Sequence, residues 1–414
     1  MLLWLAAVIF FLCVLGAFIW FVRHPSSSFI AGNPSAPTGT APQAAASSTA
    51  TGTAEGDPIV NLPPAPTSSV AAPFTLPPVP TFLQATSSSP RQIIADTSTY
   101  NAKMLALANL PPQVQTYRIS STIATSGFTT ATRVVSGTSP FWPVRPPVYP
   151  LEGALLPQNR IVAYYGNFYS TQMGVLGEYP PDQMLQKLSS TVALWQAADP
   201  ATHIIPAIHY IAVTAQGSPQ PDGTYRLRMP PDQIEKAISL AGQANGIVFL
   251  DVQVGLSTVE KEVPLLEKFL ELPQVNLALD PEFDMDASRQ PPGTVIGTMD
   301  AADINWAAQY LENLVRARNL PPKILVIHRF TEDMVTHYKK IQPLPEVQIV
   351  MDMDGFGFPA KKINTYQQVI IPEPVEFTGF KLFYKNDIKG PLGRLMTPED
   401  VLKLSPQPSY IQYQ

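Results

Sequence analysis

The sequence predicts an α/β fold of the (β/α)8 TIM-like barrel class, preceded by a transmembrane helix and a disordered linker. From Arg160 onward, short apolar runs with strand character alternate with amphipathic runs of helical character. This alternation is typical of a parallel sheet covered by helices. Eight strand candidates follow one another over residues 160–414, and a barrel of this class takes about 250 residues. An open doubly wound sheet is the alternative architecture.

The predicted strands share a run of aliphatic and aromatic residues that ends at turn-forming residues. They are Ile161–Asn167, Ile204–Val213, Ile247–Val254, Asn276–Glu282, Thr294–Asp300, Ile324–Arg329, Gln348–Asp354 and Gly379–Lys385. The fourth connection is atypical, because the segment Asp286–Gly293 is too short to contain a helix.

Several helices of the predicted barrel have recognisable first turns. Pro181 and Pro231 place proline where a helix has no need of the backbone N–H. Ser257 with Glu260 has the spacing of a capping box, and Thr397 is a cap followed by proline. We therefore expect helices to begin at these four places.

The N-terminal segment, residues 1–23, predicts a membrane anchor. Residues 1–22 carry no charged side chain, and about 20 apolar residues suffice to span a bilayer as a helix. Trp20 and Arg23 suit the membrane interface. A secretory signal peptide is the rival interpretation, but a basic stretch before the apolar run is missing. The sequence therefore favours a single-pass protein of the cell membrane.

Residues 24–90 form a predicted disordered linker. They are dominated by Ser, Thr, Ala, Pro and Gly, with no Lys or Arg between Arg23 and Arg91. Such a segment cannot bury a core and behaves as an extended tether. The lone Arg23 would favour a cytoplasmic main domain, whereas the tether favours a domain displayed outside the membrane. We weigh the tether more heavily and expect an extracytoplasmic domain.

Residues 91–159 are predicted to be a partly ordered lead-in to the barrel. A helix is expected around Met104, within residues 91–110, and residues 115–136 have the Thr and Val content of a small hairpin. A series of prolines between Pro140 and Pro150 then interrupts regular structure up to the main domain.

Composition excludes several classes of function. The net charge is -5 and the sequence pI is about 5.6, which gives no reason to expect nucleic acid as a partner. Cys13 is the only cysteine, so neither an intrachain disulfide nor a cysteine-built metal site is expected.

The alternation of side chains along the predicted strands locates the candidate site. In nearly every strand, one face begins apolar and becomes ionisable or hydrogen-bonding toward the C-terminal end. Barrel enzymes build their active sites at that end. The residues predicted to converge there are Tyr165, Asn167, His209, Asp251, Gln253, Asp280, Glu282, Asp300, His328, Asp352, Asp354 and Lys381. Asp300 has a second interpretation as the cap of a helix, and His209 as a buried core histidine.

Glycoside hydrolysis is the first functional hypothesis, because it needs two carboxyl groups on either side of a sugar ring. We expect Glu282 as the general acid and Asp352 or Asp354 as the nucleophile or base. The other polar residues would shape charge and bind substrate, and Tyr384 is among the aromatic residues suited to stacking on a sugar. A cell-envelope polysaccharide is the expected partner, and no cofactor is expected.

The positions of these carboxylates resemble those of barrel glycosidases, which carry an acid/base after strand 4 and a nucleophile after strand 7. The match is positional and departs from the family in its residues. Those enzymes usually carry Asn-Glu and Glu at the two places, whereas this chain has Pro281-Glu282 and Asp352 with Asp354.

A metal-dependent hydrolase or phosphodiesterase is the second hypothesis. The predicted ligands of a divalent metal are His209, Asp251, Asp280, His328 and Asp352, which are residue types that bind zinc or harder ions. No His-x-His or His-Glu-x-x-His spacing supports this interpretation. The fragments Leu250–Gln253 and His328-Arg329 are similar to motifs of glycerophosphodiester phosphodiesterases, but they occur here in the reverse order.

Two further alternatives stay open. Lys381 could form a Schiff base, although a lysine among acids is more simply their counter-ion. The domain could also be an anchored, non-catalytic module that binds envelope glycans. As a whole, the chain resembles uncharacterised exported bacterial proteins with an anchor, a tether and a barrel like that of glycoside hydrolases. The stretches Met173–Pro180, Leu279–Met285 and Asp352–Gly357 carry this resemblance, which implies no particular activity.

Overall fold

The computed structural model describes residues 59–63, 74–84, 89–111, 113–120, 128–135 and 139–414. The predicted anchor over residues 1–23 lies outside the described residues, as does most of the predicted linker. Within these ranges, no helix is both long and apolar enough to cross a membrane.

The described chain consists of short strands and helices that alternate along the sequence. The strands are β1 (Gln113–Ser120), β2 (Phe128–Val135), β3 (Asn159–Gly166), β4 (His203–Ala215), β5 (Arg226–Arg228), β6 (Ile247–Val252), β7 (Val275–Leu279), β8 (Met299–Asp300), β9 (Lys323–Arg329), β10 (Val335–Thr336), β11 (Val347–Met353), β12 (Phe377–Leu382) and β13 (Tyr410–Tyr413). The α-helices are α1 (Thr97–Ala108), α2 (Val175–Glu178), α3 (Pro181–Ala198), α4 (Pro231–Gln243), α5 (Val259–Glu262), α6 (Glu267–Leu270), α7 (Ala301–Arg318), α8 (Pro359–Thr365) and α9 (Pro398–Val401).

Eight parallel strands form a closed barrel, which confirms the predicted fold class and excludes the open sheet. In order around the barrel they are β3, β4, β6, β7, β9, β11, β12 and β13, and β13 pairs with β3 to close it. Strands β1 and β2 form a separate antiparallel hairpin. Strand β5 pairs antiparallel with the end of β4 and extends the barrel wall on one side.

The predicted fifth and eighth strands were assigned wrongly. Thr294–Asp300 does not enter the barrel: only β8 within it is a strand, and β8 pairs with β10. In the barrel, β7 pairs directly with β9 through Leu277 and Leu325. The place of the missing strand is taken by β13, so the segment predicted as strand 8 is the seventh strand of the barrel.

The segment before β8 has a reason to stay outside the sheet. A Cβ atom at Gly297 would lie 2.5–2.6 Å from the carbonyl oxygens of Pro281, Glu282 and Asp284. Gly297 also donates its N–H to Glu282 O at 2.6 Å. The segment therefore packs flat against the turn after β7, where a strand residue with a side chain would not fit.

The N-terminal half of the barrel interior is apolar and closed. Ile161, Ile205, Ile247, Phe249 and Val326 fill it and are fully buried. Below them, the backbone N–H groups of residues 155 and 156 both donate to the side-chain oxygen of residue 348 at 3.0 Å, and helix α1 packs against the same end. These bonds pair the two buried backbone N–H groups at the floor.

The helices begin at three of the four predicted places. Helices α3 and α4 have proline in their first turns, and Thr397 caps α9 in a capping box with Asp400. The predicted capping box at Ser257 is wrong, because Thr258 is the N-cap of α5 and makes no side-chain capping bond. Ser257 instead donates to the buried carboxylate of Glu262.

Candidate active site at the carboxyl ends of the barrel strands

Polar side chains occupy the C-terminal half of the barrel interior. One or two come from each of the eight strands or from the residues that follow them. The buried members are Tyr165, His209, Asp251, Gln253, Asp280, His328, Asp352, Asp354, Lys381, Tyr410 and Gln412. The strand alternation used on the sequence therefore correctly placed most of this set.

Two histidines face one carboxylate at the centre of the site. Nε2 of His209 lies 3.6 Å from Asp251 Oδ2, and Nε2 of His328 lies 3.8 Å from the same oxygen. One ligand atom from each of the three residues lies within 4.8 Å of the others, and all three residues are fully buried. Neither Nε2 atom and neither oxygen of Asp251 has a hydrogen-bond partner among the described residues.

The second nitrogen of each imidazole has its own neighbour. Nδ1 of His209 lies 2.6 Å from the Tyr410 hydroxyl. Nδ1 of His328 lies 3.1 Å from Asp354 Oδ2 and 3.3 Å from Asp352 Oδ2, close enough for an ion pair but not aligned as a hydrogen bond. Both rings thus have a polar neighbour at Nδ1, and both Nε2 atoms lie toward Asp251.

Asp354 and Lys381 form a buried ion pair beside His328. Nζ of Lys381 lies 2.8 Å and 3.0 Å from the two carboxylate oxygens of Asp354. The same ammonium group lies 4.1 Å from the ring centroid of Tyr165, a cation–π distance. Gln253 continues the network, because its Nε2 donates to Tyr165 Oη at 3.2 Å and to Asp280 Oδ2 at 3.1 Å.

Gly379 provides the space in which Asp352 fits. A Cβ atom at this position would lie 2.4 Å from Asp352 Oδ1, and Asp352 and Gly379 are direct neighbours across β11 and β12. Any larger residue would displace the carboxylate or open the strand pair.

Burial and close charges move the pKa values of the carboxyl groups in opposite directions. Burial raises the pKa of Asp280 to about 8, and the charges of Asp251 and Asp354 add to this effect. Burial also raises the pKa of Asp352. For Asp354, Lys381 and His328 outweigh burial and lower the pKa.

The pKa values of the central cluster also shift in opposite directions. Burial opposes ionisation of Asp251, but His209 and His328 lower its pKa overall. Burial lowers the pKa of His209 to about 4. For His328, burial is outweighed by the carboxylates of Asp352 and Asp354, which raise its pKa well above the ordinary value. The cluster thus combines a neutral imidazole with a site that strongly attracts positive charge.

A second buried ion pair holds the loops that carry these residues. Nζ of Lys362 lies 3.0 Å from Asp387 Oδ2 and donates to Gly355 O at 2.8 Å. Asp387 also accepts backbone N–H groups from Gly357 and Phe383. The segments that follow β11 and β12 are therefore tied together just beyond Asp354 and Lys381.

The remaining predicted residues have other surroundings. Glu282 is buried on a 3-10 turn, Pro281–Phe283, directly after β7. The Asn167 side chain donates to Ile211 O and accepts from Tyr169 N, so it fixes a loop. Tyr384 is not brought to the barrel interior: its hydroxyl lies 3.1 Å from the Tyr164 hydroxyl on the helix-facing side.

Asp300 is also outside the cluster and caps helix α7. Its carboxylate accepts from Ala302 N, and it is the N-cap of a capping box with Asp303. Thr336 and His337 contact the other carboxylate oxygen at 2.6 Å. The inward placement predicted for Asp300 is wrong, because its segment is not a barrel strand.

Sequence reasoning missed Tyr410 and Gln412, which enter the site from β13. Gln412 donates to Tyr410 Oη at 3.1 Å, and Tyr410 in turn contacts His209. Alternation in the tetrapeptide Tyr-Ile-Gln-Tyr was the available signal. Its four residues are few, and they follow the prolines at positions 406 and 408.

A segment from the predicted linker lies over the mouth of the barrel. We call residues 59–63 the N-terminal strap. Leu62 N donates to Gln216 Oε1 at 2.9 Å, and Asn61 Oδ1 accepts Gly217 N–H at 2.8 Å. Ile59 and Val60, with Tyr165 and Gln253, line a remaining space of about 20 Å³. The strap thus leaves room for about one small molecule such as water above the buried cluster.

Comparisons with known proteins show no established family. No protein-family model matches the chain, and no curated protein matches it. Among solved structures, the chain is similar to the cellulose synthase subunit Z, CcsZ, from Clostridioides difficile, at 8% sequence identity and a TM-score of 0.30. The match covers 62% of this chain and 91% of that chain. Similarity at this level carries no argument about activity.

Proposed function

We propose that this protein is a metal-dependent hydrolase whose metal ligands are His209, Asp251 and His328. The observation that carries the proposal is the convergence of two imidazole Nε2 atoms on one carboxylate, none of which has a hydrogen-bond partner within the described part of the chain. Buried polar groups in proteins are almost always paired or coordinate an ion.

The distances and the surrounding contacts fit such a site. Ligands of a tetrahedral zinc ion lie about 2.0–2.2 Å from the metal, which places them roughly 3.4 Å from one another. The observed separations of 3.6 Å and 3.8 Å are close to this value. A metal-binding histidine usually holds its other nitrogen against a carboxylate or another polar group, as His328 does with Asp354 and His209 with Tyr410.

The donor set indicates the class of chemistry. Three protein ligands of this type leave a coordination position for water, the arrangement of catalytic zinc, and two histidines with one carboxylate also suit iron or manganese. A divalent ion held by these residues would supply Lewis acidity and an activated water for hydrolysis. In this proposal, Lys381 and the Tyr165 hydroxyl bind a polar or anionic part of the substrate.

Elemental analysis of the full-length protein, purified without chelator or histidine tag, tests this proposal. We expect about one transition-metal ion per chain, which His209→Ala and His328→Ala each remove. His203→Ala is the matched control, because His203 lies exposed at the other end of strand β4. A protein that carries no metal and binds neither Zn²⁺ nor Mn²⁺ on titration would contradict the proposal.

Glycoside hydrolysis by paired carboxyl groups is the second candidate. It is favoured by the position of Glu282 after β7 and of the ion-paired Asp354 after β11, which are the fourth and sixth strands of the barrel with β9 between them. The predicted match to a nucleophile after strand 7 is wrong, because the seventh strand is β12 and carries Lys381. In this mechanism Glu282 is the general acid and Asp354 or Asp352 the nucleophile or base. Glu282→Gln would then abolish cleavage of envelope glycans while metal content stays unchanged, and turnover would be insensitive to chelators.

The proposed setting is the outer side of a cell membrane, with the barrel tethered by the N-terminal segment and a cell-envelope polysaccharide as substrate. It is supported by the uncharged apolar run over residues 1–22 and the Ser-, Thr- and Pro-rich linker. Protease treatment of intact cells tests it, because an extracytoplasmic barrel is digested and a cytoplasmic one is protected.

A further inference from the structure

A second cavity lies at the opposite end of the barrel, between helix α1 and the proline-rich segment 143–149. Its volume is about 400 Å³, within the range of small-molecule sites. Most of its wall is apolar and is formed by Met104, Leu105, Pro143, Val148, Pro343 and Val375. This end of the barrel has no part in the proposed hydrolase site.

A buried carboxyl group faces this cavity. Glu376 lines it and is only 5% exposed. Its Oε2 accepts the backbone N–H of Ile349 at 2.7 Å. Burial raises the pKa of Glu376 to about 8, although the hydrogen bond from Ile349 N–H favours the ionised form.

Two tyrosine rings line the same cavity as this carboxyl group. Tyr100 and Tyr149 line the cavity and meet edge to face, with ring centroids 5.6 Å apart. Asn101 donates to the Tyr149 hydroxyl at 2.9 Å, which fixes the orientation of that ring. Aromatic faces attract cations, most strongly where water is partly excluded.

We propose that this cavity binds a small organic cation: an ammonium group that pairs with Glu376, carried on an apolar body that packs between Tyr100 and Tyr149. A bound cation would offset the cost of ionising Glu376 in an apolar wall. Arg145 lies exposed at the edge of the same cavity. Two sources share this chemistry, a simple amine and an amino acid whose carboxylate reaches Arg145.

Calorimetric titration of the full-length protein with n-hexylammonium chloride tests the inference, with a chelator present so that the amine cannot bind a metal. We expect saturable binding that Glu376→Gln weakens at least tenfold. The glutamine retains an oxygen for Ile349 N–H, so the variant should fold, and a thermal unfolding curve checks this. Tyr149→Ala provides a second variant and should weaken binding several-fold.

Neutral n-hexanol and Glu152→Gln are the controls, because the alcohol lacks the charge and Glu152 is an exposed glutamate outside the cavity. Binding of the amine that survives Glu376→Gln, or equal binding of the alcohol, would overturn the inference. Titration with leucine separates the two sources. Tighter binding of leucine that Arg145→Gln removes indicates an amino acid, whereas weaker binding indicates a simple amine.

Discussion

The two halves of the barrel interior are built from the same strands and differ in almost every other respect. The N-terminal half is filled by aliphatic side chains around Phe249, and its floor is hydrogen-bonded through Gln348. The C-terminal half carries buried imidazole and carboxyl groups that lack hydrogen-bond partners among the described residues. The first half stabilises the fold, and the second retains unfavourable groups that stability alone does not explain.

The largest expected effect comes from breaking the apolar half. Phe249 is fully buried between His209 and Tyr410, so Phe249→Ala should lower the free energy of unfolding by about 3–5 kcal/mol. Chemical denaturation measures this loss. Phe141→Ala is the control, because Phe141 is exposed, and its change should stay within about 0.5 kcal/mol. A loss below about 1 kcal/mol for Phe249→Ala would refute the division of roles.

In the polar half, removing one partner of an ion pair should lower stability more than removing both. Lys381→Met leaves the Asp354 carboxylate buried without its ammonium partner, which should cost about 3 kcal/mol. The double variant Lys381→Met with Asp354→Asn should recover much of this loss, because the uncompensated charge is gone. Equal stability of the single and double variants, measured by urea denaturation, would show that the pair is not coupled.

Removal of the proposed metal should lower the stability of the protein, and this effect should depend on the ligands in the polar half. A metal at one hundred times its dissociation constant stabilises the folded state by about 2.7 kcal/mol, so a chelator should lower the midpoint of thermal unfolding. His209→Ala should start from the lower midpoint and show no further shift. A chelator effect that persists in this variant would place the ion elsewhere.

Glu376 is a buried titratable group at the N-terminal end of the barrel, and it predicts a pH dependence. Its pKa is raised from 4.5 to about 8 in the folded protein, so between these values the folded state holds a proton that the unfolded chain releases. Stability should therefore fall as pH rises from 4.5 to 8, by at most about 1.4 kcal/mol per pH unit. Glu376→Gln should flatten this part of the profile. An unchanged slope in denaturation measured at pH 6 and pH 8 would argue against the raised pKa.

The smallest expected effect concerns the N-terminal strap. Asn61→Ala removes one hydrogen bond to Gly217 and should cost about 0.5–1.5 kcal/mol. The same change should speed the release of bound metal to a chelator severalfold, because the strap covers the mouth. Release at the wild-type rate would mean that the strap does not limit access.

The fold and the core of the site could be predicted because strand alternation is a strong local constraint. His209, Asp251 and His328 are inward residues on long apolar strands, and the period of two placed them correctly. Strand β13 has four residues, too few for the pattern to be recognised, so Tyr410 and Gln412 were missed. Thr294–Asp300 has a strand-like composition, but the packing of Gly297 against three carbonyl groups excludes it from the sheet. The strap lies in a stretch whose composition predicts no structure, and only its contacts with the barrel reveal it.

The contact between Gly379 and Asp352 has a consequence for ancestry. Since a Cβ atom at position 379 would overlap the carboxylate, the two positions cannot change independently. We expect a related chain that keeps the aspartate to keep the glycine. A chain with a larger residue at the glycine position should lack the carboxylate in this place. Asp352 and Gly379 are therefore a residue pair, recognisable from sequence alone, that distinguishes related chains which keep the site from those which keep only the barrel.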